Sequence, residues 1–147
     1  MFRFKCLTIN YINLGIIRFI MVRRVFISYQ NKDRHAKELL KAQANNKRMD
    51  IEFNDQSPNK PFSSKWKTQM KRRIENSSAT VVPIGKDTYK SKAVNWEIEQ
   101  SRKAGNKVIG IQINQGQHHR LPPAMRRSEE LKKWNITNIA RRLKKRK

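Results

Sequence analysis

The chain has 147 residues, 37% of them hydrophobic, with 34 Lys and Arg against 11 Asp and Glu, a formal charge of +23. That length suits one domain with a modest core rather than two, and recurrent apolar runs exclude a wholly disordered chain. The single cysteine, Cys6, excludes an internal disulfide and a cysteine-based zinc cluster.

Residues 1–20 (MFRFKCLTINYINLGIIRFI) are apolar but interrupted by Arg3, Lys5 and Arg18. A basic start followed by an apolar stretch is like a secretory signal, yet no small-residue cleavage site follows. The run is too short and too polar for a typical membrane-spanning helix. Three readings stay open: an extra leader ahead of a start at Met21, a membrane anchor, or a packed extension. The first is preferred, because Met21 immediately precedes a strong strand. The domain is then expected over residues 21–143, with a basic tail over 141–147.

Val22 to Tyr29 (VRRVFISY) is rich in β-branched and aromatic residues and reads as a buried strand. Asn31, Lys32 and Asp33 make the turn, with Asp33 placed to cap the next helix. In that helix Ala36, Leu39, Leu40 and Gln43 share one face, and Asn45-Asn46 stops it. Met49 to Phe53 alternates and reads as a short strand at a sheet edge. Asn54 to Pro61 is a loop. Ser63 or Ser64 then caps a helix whose Trp66, Met70 and Ile74 recur every four residues. Ala79 to Ile84 is a buried strand, residues 85–91 a loop, and Ala93 to Ala104 a helix stopped by Gly105-Asn106. Lys107 to Ile113 is the fourth strand. A polar loop, Asn114 to Pro123, leads to a last amphipathic helix carrying Trp134, Ile136, Ile139, Ala140 and Leu143.

Alternation of strands and helices predicts an α/β fold, a parallel sheet with helices on both faces. Ligands of such sheets bind beyond the carboxyl ends of the strands, here the loops after Tyr29, Phe53, Ile84 and Ile113. Neither a GxGxxG nor a P-loop motif is present. His35 is isolated, and His118 and His119 are adjacent in a polar loop, so no metal is expected.

Charge is concentrated but not confined. Residues 126–147 hold ten Lys and Arg against Glu129 and Glu130, while residues 21–125 hold 21 basic and 9 acidic side chains. Such an excess points to an anionic partner, nucleic acid among them, or to a solvated surface with a basic tail. Against base stacking, no aromatic residue follows Trp134 among the tail's charges.

Several segments together resemble one family. Val25-Phe26-Ile27-Ser28-Tyr29 followed by Asp33 is similar to the first strand and turn of TIR domains. Ser91-Lys-Ala-Val-Asn-Trp-Glu97 resembles the TIR segment S-x-W-C-x-x-E, which carries that family's catalytic glutamate. Val94 to Ile98, with Gly105-Asn-Lys-Val-Ile-Gly110-Ile, looks most like the bacterial TIR-like proteins of the Thoeris antiphage system. Ala93 and Val94 stand where plant and animal TIR domains have Trp and Cys.

The resemblance implies a flavodoxin-like, three-layer sandwich and cleavage of NAD at its nicotinamide–ribose bond, with Glu97 as the catalytic residue. NAD is then a substrate, and no cofactor is expected. Ser28, Tyr29, Asp33, Lys86 and Ser91 are the candidate substrate-binding residues, and Lys60 is a further candidate for the pyrophosphate. The residues also argue for Glu97 independently. With Val94 at the centre of the inward helix face, Ile98 and Ser101 share that face, Glu97 lies at its margin, and Glu99 and Trp96 point away. Trp96 then either marks an interface or packs under the loop Asp87 to Lys90. The resemblance further implies assembly with other TIR copies, a phage-derived trigger and a diffusible signal to a separate effector; the lone cysteine makes a cytoplasmic location the default expectation, with no membrane partner expected. Two alternatives stand beside it: a non-catalytic scaffold acting through assembly, and a nucleic-acid binder using the basic tail.

Overall fold

The computed structural model describes residues 7–12, 16–21, 23–54 and 64–145; for 7–12 and 16–21 only the backbone is described. Those first two segments, β1 (Leu7–Ile12) and β2 (Ile16–Met21), pair antiparallel, with Leu7 opposite Met21 and Ile12 opposite Ile16. They form a sheet of their own. Lys60, Ser63 and most of the loop after Phe53 lie outside the described residues.

The rest is one five-stranded sheet. Its strands are β3 (Arg23–Ile27), β4 (Ile51–Asn54), β5 (Ala79–Ile84), β6 (Lys107–Gln112) and β7 (Glu130–Leu131). They run in the order β4-β3-β5-β6-β7, and every neighbouring pair is parallel. Counting within this sheet the order is 2-1-3-4-5, the flavodoxin-like winding, whose direction reverses between β3 and β5. β5 is buried at all six positions, as a central strand covered on both faces must be. β4 lies at the edge, as its alternation predicts. β7 is a correction: two residues leave no periodic signal, so periodicity predicts four strands where this sheet has five.

Helices α1 (Arg34–Asn46) and α4 (Ile136–Lys144) cover one face, and α2 (Ser64–Glu75) and α3 (Lys92–Lys103) the other. Val25, Ile27, Val81, Ile109 and Ile111 pack against Leu40, Ala44, Ile136, Ile139 and Leu143 on the first side. On the second, Phe26 meets Trp66, Met70 and Ile74, and Val82, Ile84 and Val108 meet Val94, Ile98 and Met125. The three-layer sandwich is therefore built by the helical and strand periods together.

Two sequence expectations on this frame are corrected. Leu39 is 48% exposed, and the inward face of α1 is instead Ala36, Lys37, Leu40 and Ala44. Lys37 lies over the Tyr29 ring, 5.1 Å from its centroid, and pairs with Glu38 at 3.1 Å. Trp96 is half-buried rather than freely exposed. Its ring sits 5.1 Å from that of Trp66, tilted by 43°, and joins α3 to α2.

The basic end of the chain has a local structural role. Arg23 donates to the carbonyl of Lys144, and Lys107 Nζ donates to those of Arg142 and Lys145. Cations at the exposed carbonyls of a helix end complement its dipole. The other end of α4 is capped by Asn135, whose side chain accepts from the N–H groups of Thr137 and Asn138. Asn135→Ala is expected to cost about 1 kcal/mol of stability in chemical denaturation.

Candidate active site

The winding reverses between β3 and β5, so the crevice is framed by the loops leaving Ile27 and Ile84. Both loops are held by buried polar contacts. Ser28 N–H still donates to the Val81 carbonyl, which continues the strand register by one residue. The Ser28 side chain is fully buried and its hydroxyl donates to Oε2 of Glu97. Glu97 is 7% exposed and belongs to the inward face of α3 with Val94, Ile98 and Ser101, as the helical spacing predicts. Burial pushes its pKa up to about 8, and the Ser28 hydroxyl only partly offsets that. In the ligand-free protein at neutral pH this carboxyl is mostly protonated.

Asp33 has a different role from the helix cap expected of it. It stands at the start of α1 with no capping hydrogen bond. Its carboxylate is buried and accepts from Thr88 Oγ1 at 3.0 Å, and that oxygen accepts from Gly85 N–H at 2.8 Å. A methyl group on Gly85 would overlap the Asp33 carboxylate, so glycine is needed where the two loops touch. Asp33, Thr88 and Gly85 thereby clamp the loop after β3 to the loop after β5. Thr88→Val keeps the shape but leaves the Gly85 N–H and the carboxylate short of a partner. The expected loss is about 2 kcal/mol in chemical denaturation, with Thr88→Ser retaining most of the stability.

That clamped loop ends at Ser91, whose side chain accepts from Val94 N–H and caps α3. Asn95 donates to the carbonyls of Tyr89 and Ser91 and accepts from Ala124 N–H. Arg102 forks onto Glu129 and also donates to the Ala124 carbonyl. Helix α3 is thus pinned at its start, along one flank by the 124–129 segment, and along the other by the Trp96–Trp66 contact. Glu97 is presented from a rigid element.

Of the expected site residues, the fold brings Glu97 and Ser28 into contact and places Asp33 at the adjoining clamp. Tyr29 packs on the opposite side of the sheet, against the α1–α4 core. Ser91 supports α3 from its N-cap, and Lys86 is exposed on the loop after β5. Thr88, Gly85 and Asn95 were missed. Glycine three residues before a threonine, directly after a buried strand, was the available signal for the first two. A shallow groove of ≈ 320 Å³ lined by Ser64, Lys65, Thr68, Gln69 and Arg72 runs along the outer side of α2 and includes none of the site residues. Among the described residues no three His, Cys, Asp or Glu side chains are grouped to hold a metal, and no helix is long and apolar enough to cross a membrane.

Residues 26–118 match the model of the family described as Thoeris protein ThsB, TIR-like domain. A protein of Bacillus cereus (strain MSX-D12), named "Putative cyclic ADP-D-ribose synthase ThsB1", is 46% identical over 41 residues, 28% of this chain and 21% of that protein. The shared stretch therefore spans about a fifth of that relative's length. Among solved structures, a prokaryotic SEFIR domain has a TM-score of 0.49 at 18% identity, covering 84% of this chain and 94% of the other. The TIR domain of the Toll-related receptor TRR-2 from Hydra magnipapillata has a TM-score of 0.48 at 20% identity, covering 64% and 73%. The fold assignment rests on the strand order and not on these two likenesses. The family match takes in both loops of the crevice, Ser28 and Glu97, and by it this chain belongs to the TIR-like domain family of the Thoeris ThsB proteins.

Proposed function

We propose that this chain cleaves NAD at the nicotinamide–ribose bond and releases an ADP-ribose-derived signal, cyclic or linear, for a separate effector. The observation that carries the proposal is Glu97: a buried carboxyl on a rigid helix, bonded to Ser28, at the switch point of the sheet. The name of the Bacillus cereus relative belongs to the same product class, which supports the reading.

The chemistry asks for one carboxylate. The bond between the ribose carbon and the nicotinamide nitrogen breaks with its electron pair going to the nitrogen, which neutralises the pyridinium. Positive charge develops on the ribose, as in glycoside cleavage, and the Glu97 carboxylate stabilises it. Capture by water releases a proton and gives ADP-ribose; capture by an internal nucleophile of the same molecule gives a ring, and requires water to be excluded. Nicotinamide is a good leaving group, so no second acid is required. The cationic pyridinium also helps before the bond breaks, because a positive charge beside Glu97 favours its ionised form.

Assembly with further copies of the domain and a phage-derived trigger belong to the same proposal. The test incubates the full chain at high concentration with NAD and follows nicotinamide and nucleotide products by chromatography. Nicotinamide released in step with NAD consumed supports the reading, and the nucleotide peak separates ring closure from hydrolysis. NAD left intact by folded, assembled protein in the presence of infected-cell lysate would remove the enzyme reading in favour of a scaffold.

A further inference from the structure

We infer that Gln30 recognises the carboxamide of the nicotinamide leaving group, an inference that rests on the NAD reading above and deepens it. Alternation along the strand gives its place. Phe26 packs with Trp66 and Met70 on the α2–α3 side, Ile27 and Tyr29 pack on the α1–α4 side, and Ser28 bonds to Glu97 of α3. Gln30 is extended, with φ −82° and ψ 143°. A period of two therefore carries it to the side of Ser28, roughly 7 Å further out of the carboxyl end of β3.

At that position Gln30 Oε1 is buried and has no hydrogen-bond partner among the described residues. A buried, unpaired amide oxygen is costly, and native structures hold few of them without a use. The residue as a whole is half-buried. A primary carboxamide matches it group for group. One N–H of the ligand donates to Oε1, and the ligand's carbonyl accepts from Nε2, two hydrogen bonds closing one ring. Nicotinamide carries such a group one aromatic ring away from the ribose carbon beside Glu97. Phosphate oxygens offer no donor and leave the Gln30 oxygen unsatisfied.

Gln30→Met and Gln30→Leu keep most of the volume and remove the polar end. Both are expected to raise Tm by about 4 °C or more, since they delete an unpaired buried oxygen. Both are also expected to raise KM for NAD on the order of tenfold with little change in kcat. The 3-acetylpyridine analogue of NAD supplies the discriminating probe, because a methyl group replaces the donating nitrogen. The preference of the natural chain for NAD over this analogue should shrink on the order of tenfold in either variant.

An unchanged preference with NAD still consumed overturns the inference and leaves the NAD reading standing. A natural chain that, folded and assembled, neither binds nor consumes NAD overturns both. Failure of both variants to fold also contradicts the inference, because removal of an unpaired group is predicted to stabilise the protein.

Discussion

Glu97→Gln is expected to lower NAD turnover on the order of 10³-fold or more while leaving the fold intact. The amide is the same size as the carboxyl and still accepts from the Ser28 hydroxyl, the carboxyl's partner in the natural chain. It cannot ionise, so the developing charge on the ribose meets no counter-charge in a buried site where such a charge counts most. Since the loss falls on the transition state, kcat should drop and KM should move little. Near-ultraviolet circular dichroism of both proteins checks that the fold is shared. Retained turnover in the variant would place the chemistry elsewhere.

The same buried carboxyl predicts a stability profile of unusual sign. Its pKa is about 8 when folded and near 4.3 in an unfolded chain. Between those values the folded state holds a proton that the unfolded state has lost. This group's contribution is therefore most favourable below about pH 4.3 and declines as pH rises to about 8. The full decline is on the order of 5 kcal/mol, a large part of a typical domain's total stability. Urea denaturation from pH 5 to 9 should show the natural chain losing stability relative to Glu97→Gln, with the gap levelling off above pH 8. A gap that does not change with pH would mean that Glu97 is ionised when folded. Bound NAD should narrow the gap, since its pyridinium favours the carboxylate.

The parts of this protein written in local periodicity were legible, and those written in long-range contacts were not. The burial of Val94, Ile98 and Ser101 with Glu97 follows from helical spacing alone, and Trp66, Met70 and Ile74 likewise from spacing in α2. Asp33 shows the limit. An aspartate just before a helix has the signature of a cap, but its partner Thr88 lies 55 residues away, and nothing local distinguishes the two uses. Trp96 shows the same limit, because its direction is satisfied by Trp66 on a different helix. Lys37 takes an inward place and Leu39 an outward one, because the Tyr29 ring and Glu38 give the lysine charge a partner at the helix start. Strand β7 is two residues long, too short for any period to register.

The site follows the same division. Glu97 was visible through both its motif and its helical position. Ser28 was visible only as a strand end, and its bond to Glu97 across 69 residues appears once the sheet places β3 beside β5. The Gly85–Thr88–Asp33 clamp is a product of the crossover: it exists because the first and third loops of the winding meet at the switch point.

The pH dependence of kcat/KM for nicotinamide release tests the central claim most directly, measured from pH 6 to 9.5 on the full chain with Glu97→Gln alongside. This quantity reports the ionisation of the free enzyme's essential group. The account predicts a rate that climbs about tenfold per pH unit, levels off near pH 8, and disappears in Glu97→Gln. A profile flat across that range, or one unchanged by Glu97→Gln, would contradict the assignment of Glu97 as the carboxylate that drives NAD cleavage.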